Sequence, residues 1–446
     1  MKTIGVISLG CSKNRVNTEQ MMFLLSQAGY TITGETEVVD IVLLNTCGFI
    51  DDAKSEAIET IMELVAAKKD HRVGKIIVAG CLPQREKDKV LKEIPEIDAI
   101  VGTGSFDDIV NVVESLENQD VSSVDDKLFF ADIDAPVSET PRILSTSDTW
   151  AYIKIAEGCD NRCAFCSIPD IRGKFRSRPM ENIVSEAKAL VDSGIRELIL
   201  VAQDLTRYGI DLYGKRKLSE LLRKLNNIEN LKWIRLHYLY PDQFDDELID
   251  VIAKSGKILK YLDIPIQHIN DEILRKMNRR GGSKDIKKLF SQLRERVPGV
   301  VLRTSLITGL PGESKAEFEE LCDFIREVKI ERVGVFAYSP EDGTAATKMD
   351  RSSKEVAEQR AAKLLDIQSE LMQSWNESRV GTKTTVLIEG VEIHENYAER
   401  YIARSYAESP DIDGYIEVET TSPITSRFLD IIITSAENGR LIGEPI

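Results

Sequence analysis

The 446-residue chain has no run of eighteen consecutive apolar residues, so nothing in it reads as a membrane span. Its opening stretch "MKTIGVISLGCSKN" holds only a short apolar run and passes directly into patterned sequence, unlike a secretion signal. Positive charge is also scarce: 58 Lys and Arg stand against 74 Asp and Glu, for a net charge of −16 and a pI near 5.0. The average surface therefore repels a nucleic-acid backbone and attracts a basic protein. Internal repeats and low-complexity tracts are absent. These absences predict a soluble, cytoplasmic protein. Seven cysteines, an odd number without a secretion signal, argue against a disulfide framework and for metal-binding or catalytic thiols. At 42% hydrophobic residues the chain is long enough for two or three cores.

Strand-like apolar runs alternate with amphipathic segments, the pattern of parallel α/β architecture. "KTIGVISLG", "DIVLLNTCG", "KIIVAGC" and "IDAIVGTG", each followed by a helical pattern, predict a doubly wound four-stranded domain over residues 1–116. Residues 117–149 are polar and irregular and read as a connection. Six further βα units, "YIKIAEG", "ELILVAQD", "LKWIRLHYLYP", "LKYLDIPIQH", "VVLRTSLITG" and "RVGVFAYSP", are too few for a closed eight-stranded barrel and predict a partial (βα)6 barrel over 150–378. Four short strands in 379–446 ("TTVLIEG", "YIARSYAE", "GYIEVE", "FLDIIITSAE") predict a small all-β, OB-like barrel.

The cysteines carry the chemistry. "GCDNRCAFC" places Cys159, Cys163 and Cys166 after the first strand of the second series, at the carboxyl end where parallel folds keep their active sites. Three thiolates hold three irons of a cubane and leave the fourth open to a small chelating molecule. Structural zinc wants four closed ligands, commonly as separated pairs, and this stretch offers neither the pairing nor a nearby His. Cys11, Cys47 and Cys81 end three strands of the first domain and should meet in one crevice although 36 and 34 positions separate them (47 − 11, 81 − 47). Each touches a glycine (Gly10, Gly48, Gly80), which lets backbone come close to a bulky cluster. The plainer reading is three unrelated buried thiols. Cys322 lies on an apolar helix face with Phe318, Leu321 and Ile325 and reads as core.

"GCDNRCAFC" resembles the CxxxCxxC element of radical S-adenosylmethionine enzymes. With the three-cysteine first domain and a terminal TRAM-like barrel, the whole chain resembles the methylthiotransferase family. "GCSKNRVNTE", "SIPDIRGKFRSRP", "AQDLTRYG", "HYLYP", "DIPIQHINDEILRKMNRRG" and "GVFAYSPEDGTAA" are similar to its branch that acts on ribosomal protein rather than on tRNA. One departure is Asn17, where the family more often has Asp. The resemblance implies methylthiolation of the β-carbon of an aspartate in small-subunit ribosomal protein S twelve, met free or on the subunit. Two [4Fe-4S] clusters would sit on the two cysteine sets, with S-adenosylmethionine on the open iron beside Cys159, Cys163 and Cys166. An electron donor and a sulfur donor are also implied, because an unactivated C–H bond has no useful acidity and needs a radical.

The resemblance further assigns Gly309, Gly312 and Glu313 of "TGLPGES" to the cofactor-lining segment, against a helix-entry turn as the alternative. Phe165 can lay its ring against adenine or simply pack. Gln203 and Asp204 can contact the cofactor or cap the next helix. His237 and His268 are candidates to meet the substrate carboxylate, with a satisfied loop histidine as the alternative of at least equal weight. Arg172, Arg176 and Arg178 form a basic run suited to an anion or to a solvated face. Two other functions compete. A tRNA (adenosine) methylthiotransferase would use the same chemistry, but residues 380–446 carry five Lys or Arg against twelve Asp or Glu, a net of −7 that suits a basic protein better than RNA and disfavours nucleic acid as the direct substrate. An iron-sulfur electron carrier would need neither a barrel nor an open iron.

Overall fold

The computed structural model describes residues 2–36, 38–118, 123–393, 399–420, 422–437 and 439–446. Among them the first domain is a parallel sheet in the order β2-β1-β3-β4-β5-β6, comprising β1 (Thr3–Ser8), β2 (Thr31–Thr33), β3 (Val39–Thr46), β4 (Val73–Gly80), β5 (Ala99–Val101) and β6 (Leu128–Phe129). Both faces are buried, which is why β3 reads as the near-continuous apolar run VDIVLLNT. Val42 and Leu44 pack with Ala57, Ile61 and Leu64 of the helix Asp51–Lys69. On the other face Ile41 and Leu43 meet Met21 and Leu25 of the helix Ser12–Gln27. Register levels the strand ends, with Ser8 opposite Asn45 and Thr46 opposite Gly80. The sequence predicts four strands here. The other two, β2 and β6, are edge strands of three and two residues, too short for any periodicity.

Strand β6 comes from the stretch expected to be a connection, of which residues 119–122 lie outside the described residues. The rest is tied down. Arg142, 5% exposed at its side chain, pairs with Glu19 of the first domain and Glu186 of the second.

The second domain has six parallel strands in the order β14-β13-β12-β11-β10-β7: β7 (Trp150–Lys154), β10 (Glu197–Val201), β11 (Trp233–Leu236), β12 (Ile258–Asp263), β13 (Val301–Thr308) and β14 (Arg332–Ala337), with a small ribbon of β8 (Ala156–Glu157) and β9 (Arg176–Ser177) beside them. Period-two alternation sorts its faces. Ala151, Ile153, Leu198, Leu200, Ile234 and Leu236 join the core under the helices, which includes Cys322, as the sequence predicts. Trp150, Tyr152, Ile199 and Val201 face the other way and meet Val16 of the first domain.

The third domain is a closed barrel, β15 (Lys383–Ile393), β16 (Glu399–Arg404), β17 (Ile416–Glu419), β18 (Phe428–Glu437) and β19 (Arg440–Pro445), one strand more than the sequence reading counted. Its β16–β17 loop is locked to the second domain. Glu197 joins Arg235 (2.7 Å) and Arg404 (2.8 Å), all three buried. Glu408 pairs with Arg332 and Arg379, and Asp413 accepts from the Tyr261 hydroxyl. No described helix is long and apolar enough to cross a membrane.

Candidate functional site

The three first-domain cysteines stand just beyond the level ends of neighbouring strands. Cys11 caps the helix Ser12–Gln27 and Cys81 opens the helix Cys81–Glu86, so both thiols sit at helix N-termini, where the dipole favours a thiolate. Their glycines act differently from the sequence expectation. A Cβ on Gly10, whose φ is +86°, would fall 2.6 Å from Cys47 Cβ, and one on Gly48 would fall 2.7 Å from Leu82 Cα and 3.1 Å from the Cys81 carbonyl carbon. Glycine here lets the cysteine-bearing segments approach one another. Electrostatics report the same convergence. Burial pushes Cys47 up to about 12, helped by Cys81 and Cys11. Burial also raises Cys81, against the opposing pull of Arg172. At Cys11 burial is outweighed by Lys13 and Arg172, and the thiol is held below its ordinary value.

The second triad is built from one loop. Cys159 N donates to Gly173 O, Cys166 N to Cys163 O and Ala164 N to Met277 O. Asn161 donates to Asp204 (2.9 Å) and accepts from Arg280 (2.7 Å), fixing the loop from the side. Cys163 and Cys166 lie against an apolar shell of Phe165, Ile273, Met277, Leu310, Tyr338 and Ala346. Burial pushes Cys159 up to about 11 and raises Cys166 further. Arg279 lies 3.6 Å from the Cys163 sulfur.

Among the described residues no three His, Cys, Asp or Glu side chains are gathered as ligands of a single ion. A cubane spreads its thiolates over different irons, so the donor set of each triad suits one. Buried polar atoms without a partner surround these sites: Ser12 Oγ and Asn45 Oδ1 in the first domain, and Ser167 Oγ, Gln203 Oε1, Tyr240 OH and Tyr338 OH in the second. Such orphans are rare in a finished interior and suit a polar guest.

Arg172 joins the two triads. It closes the helix Ile168–Arg172, six residues after Cys166, and crosses into the first domain, where it is 3% exposed. Its Nη1 donates to Asn17 (2.8 Å) and Glu157 (3.3 Å), and its Nη2 to Asn14 (3.0 Å) and the Cys81 sulfur (3.2 Å). Asn17, the departure from the family pattern, thus accepts from a guanidinium already balanced by Cys81 and Glu157. The basic run is no solvated face: Arg178 pairs with Glu139 and Glu186, and Arg176 donates to Arg172 O and Lys174 O.

Of the remaining predicted residues, Asp204 and Phe165 lie at the loop triad, whereas the others pack or pair with neighbouring elements. Gln203 donates to Glu157 (2.7 Å), leaving its oxygen free. Asp204 accepts from Thr206 N and caps a short helical turn while gripping Asn161. Phe165 is packed in the apolar shell. Gly309, with φ +74°, abuts Ala357 of the helix Lys354–Arg379, and Gly312 abuts Lys276. Glu313 binds Gly309 N and Arg360 and lies 3.3 Å from His268 Nε2. His237 meets Ser409 of the third domain (3.0 Å), and burial holds its pKa well below the ordinary value. Both histidines are buried. Sequence reasoning missed Lys13, Glu157, Tyr238, Tyr240 and Arg279. Only their position in quoted motifs ("GCSKN", "IAEGC", "HYLYP", "MNRRG") marked them.

Comparison with known proteins agrees with this layout. Residues 153–325 match the model of the Radical SAM superfamily, 3–102 that of Uncharacterized protein family UPF0004, and 380–446 that of the TRAM domain. Among solved structures, the radical S-adenosylmethionine methyltransferase TsrM from Kitasatospora setae superposes with a TM-score of 0.57 at 14% identity, over 75% of this chain and 73% of that one, a likeness of fold. The ribosomal protein uS12 methylthiotransferase RimO of Acetivibrio thermocellus is 45% identical over 100% of this chain and 98% of its own, and that of Lachnoclostridium phytofermentans 45% over 99% of each. The chain belongs to the RimO family of radical S-adenosylmethionine methylthiotransferases.

Proposed function

We propose that the chain methylthiolates the β-carbon of an aspartate in ribosomal protein uS12, with one [4Fe-4S] cluster on Cys159, Cys163 and Cys166 and a second on Cys11, Cys47 and Cys81. The observation that carries this reading is the pair of thiol triads at the carboxyl ends of two sheets, with Arg172, six residues after Cys166, donating to the Cys81 sulfur. When bound, these groups supply reductive cleavage of S-adenosylmethionine at the first site and sulfur at the second.

The chain's own residues do the rest. Glu157, held well below the usual carboxylate range because Lys154 and Arg172 overcome its burial, stays ionised and fixes Gln203. The Gln203 oxygen is left as an acceptor for the cofactor. Arg172 and Arg279 each bring a guanidinium to a cysteine sulfur, where they offset negative charge in a desolvated interior. The packed aromatics around Cys163 and Cys166 exclude water, which a reactive radical requires.

A protein substrate is favoured over tRNA by the third domain. Its four arginines face carboxylates: Arg400 meets Glu417, Arg404 meets Glu197 and Glu389, Arg427 meets Asp148, and Arg440 meets Glu417. Phosphate binding depends on cations free to neutralise the backbone and displace its condensed counterions, and these four face carboxylates instead. The test is anaerobic reconstitution followed by uS12 and undermodified tRNA offered in parallel. A methylthio mass gain on uS12 is expected, and a gain on tRNA alone would overturn the substrate.

A further inference from the structure

Lys13 is a buried ammonium in an unusual place. It lies in the first turn of the helix Ser12–Gln27, two residues after Cys11, and is 7% exposed. A helix N-terminus disfavours a cation, and a buried lysine is rare without an anionic partner. Its Nζ stands 3.4 Å from the centroid of the Tyr238 ring. Besides the neighbouring Cys11 thiol, the one carboxylate whose charge reaches it, Glu157, is already shared by Lys154, Arg172 and Gln203. A cation–π contact alone recovers only part of the cost of desolvating an ammonium.

The platform beneath it is fixed with some strain. Tyr238 has φ +63°, left-handed for a bulky residue, and such conformations gather at functional sites. Asp263, itself held by Arg303 (2.7 Å), accepts from Tyr238 N (3.1 Å), and Leu205 N donates to Tyr238 O. Two residues on, the Tyr240 ring carries Arg279 at 4.6 Å, the guanidinium beside Cys163. The segment His237–Tyr240 therefore runs from the neighbour of Cys11 to the neighbour of Cys163.

We propose that Lys13 recognises the side-chain carboxylate of the substrate. This rests on the reading that the substrate residue is an aspartate. Its carboxylate carbon is bonded directly to the β-carbon, so an ammonium that anchors the carboxylate also fixes the carbon to be modified. A charge-assisted contact in a water-poor site gives both affinity and discrimination against the amide.

The test compares the anaerobically reconstituted full-length protein with its Lys13→Met and Tyr238→Leu variants. The probes are two uS12 loop peptides, one with the target aspartate and one with asparagine in its place. Dissociation constants are measured alongside iron and sulfide per chain. The wild-type protein should prefer the aspartate peptide by on the order of tenfold or more. Lys13→Met should bind both peptides as the wild type binds the asparagine form. Tyr238→Leu, which leaves the ammonium but removes its platform, should narrow the preference. A Lys13→Met protein that keeps the preference overturns the proposal, as does one that loses iron, since Lys13 would then serve the cluster. A wild type indifferent to the two peptides overturns the aspartate reading and this proposal with it.

Discussion

The two cysteine triads solve the same problem in opposite ways. Cys159, Cys163 and Cys166 sit in one loop that closes on itself through Cys166 N to Cys163 O and is gripped by Met277, Asp204 and Arg280. Cys11, Cys47 and Cys81 are delivered by three parallel strands whose ends are level only because the register of β1, β3 and β4 is fixed. The loop triad lies against apolar side chains with Arg279 beside Cys163, whereas the strand triad has two cations at hand, Lys13 near Cys11 and Arg172 on Cys81. A local site can form once its own loop is packed. The convergent one also depends on the domain that supplies Arg172. The difference teaches that the first site is built on the second domain alone and the second site on an interface.

The sharpest way to break the comparison is to remove one ligand from each. Cys163→Ala should abolish both 5′-deoxyadenosine formation and methylthio transfer, whereas Cys81→Ala should abolish transfer and spare cleavage. Chromatography of the nucleoside, product mass and iron per chain read the outcome. Full transfer by Cys81→Ala would remove the strand triad from the mechanism.

Next in size is Arg172→Gln. It removes the guanidinium that Cys81, Asn14, Asn17 and Glu157 share, and breaking a buried ionic network costs about 3–5 kcal/mol. Iron should fall toward the content of one cluster, and the melting temperature should drop. If iron and melting temperature stay at wild-type values, the strand triad does not depend on the interface.

Glu341→Gln should do less. Glu341, 1% exposed, ties Arg85 (2.5 Å) and Lys54 (2.9 Å) of the first domain to the second. Losing the charge should cost about 1–3 kcal/mol. Hydrogen exchange should rise in the first domain and leave the barrel strands unchanged.

The smallest effect is a pH dependence that involves neither triad. Arg379 and Arg332 overcome the burial of Glu408 and hold its carboxyl at about 2, below the ordinary 4.5. A depressed carboxylate contributes stability that is present above the ordinary value and is lost as pH falls through the folded one. Docking of the third domain should therefore weaken as pH falls from about 4.5 toward 2. Glu408→Gln should be less stable at neutral pH and flatter across that window, as read by thermal melts. Equal slopes for both proteins would show that Glu408 does not carry the dependence.

Periodicity and spacing made much of this molecule legible. The runs VDIVLLNT and VGKIIVAG had to be strands buried on both faces, and the thiols ending them had to lie side by side, because parallel strands put their carboxyl ends on one edge. The loop triad was legible because its ligands are local. Cys322 was legible as core for the same reason, its apolar neighbours lying on one helix face. The edge strands β2 and β6 escaped because strands of three and two residues carry little pattern and are defined by their partners, and β19 escaped although it is paired with both β17 and β18 inside the closed barrel. The partners of His237, His268 and the basic run of Arg172, Arg176 and Arg178 were not legible because strand-end placement says only that a side chain is near a mouth. It does not say which neighbouring domain arrives first. Ser409, Glu313 and Cys81 meet three of them, and each lies more than 40 residues away along the chain.

The sequence by itself determined where the thiols stand on the strands and that each triad holds three. It did so because backbone hydrogen bonding and apolar burial are periodic and can be read residue by residue. Only the tertiary structure decided which charges face them. Lys13 on Tyr238, Arg172 on Cys81 and Glu197 between Arg235 and Arg404 are contacts between segments distant in the chain. A buried charge chooses its partner by desolvation and distance in space, and neither quantity is written in local order.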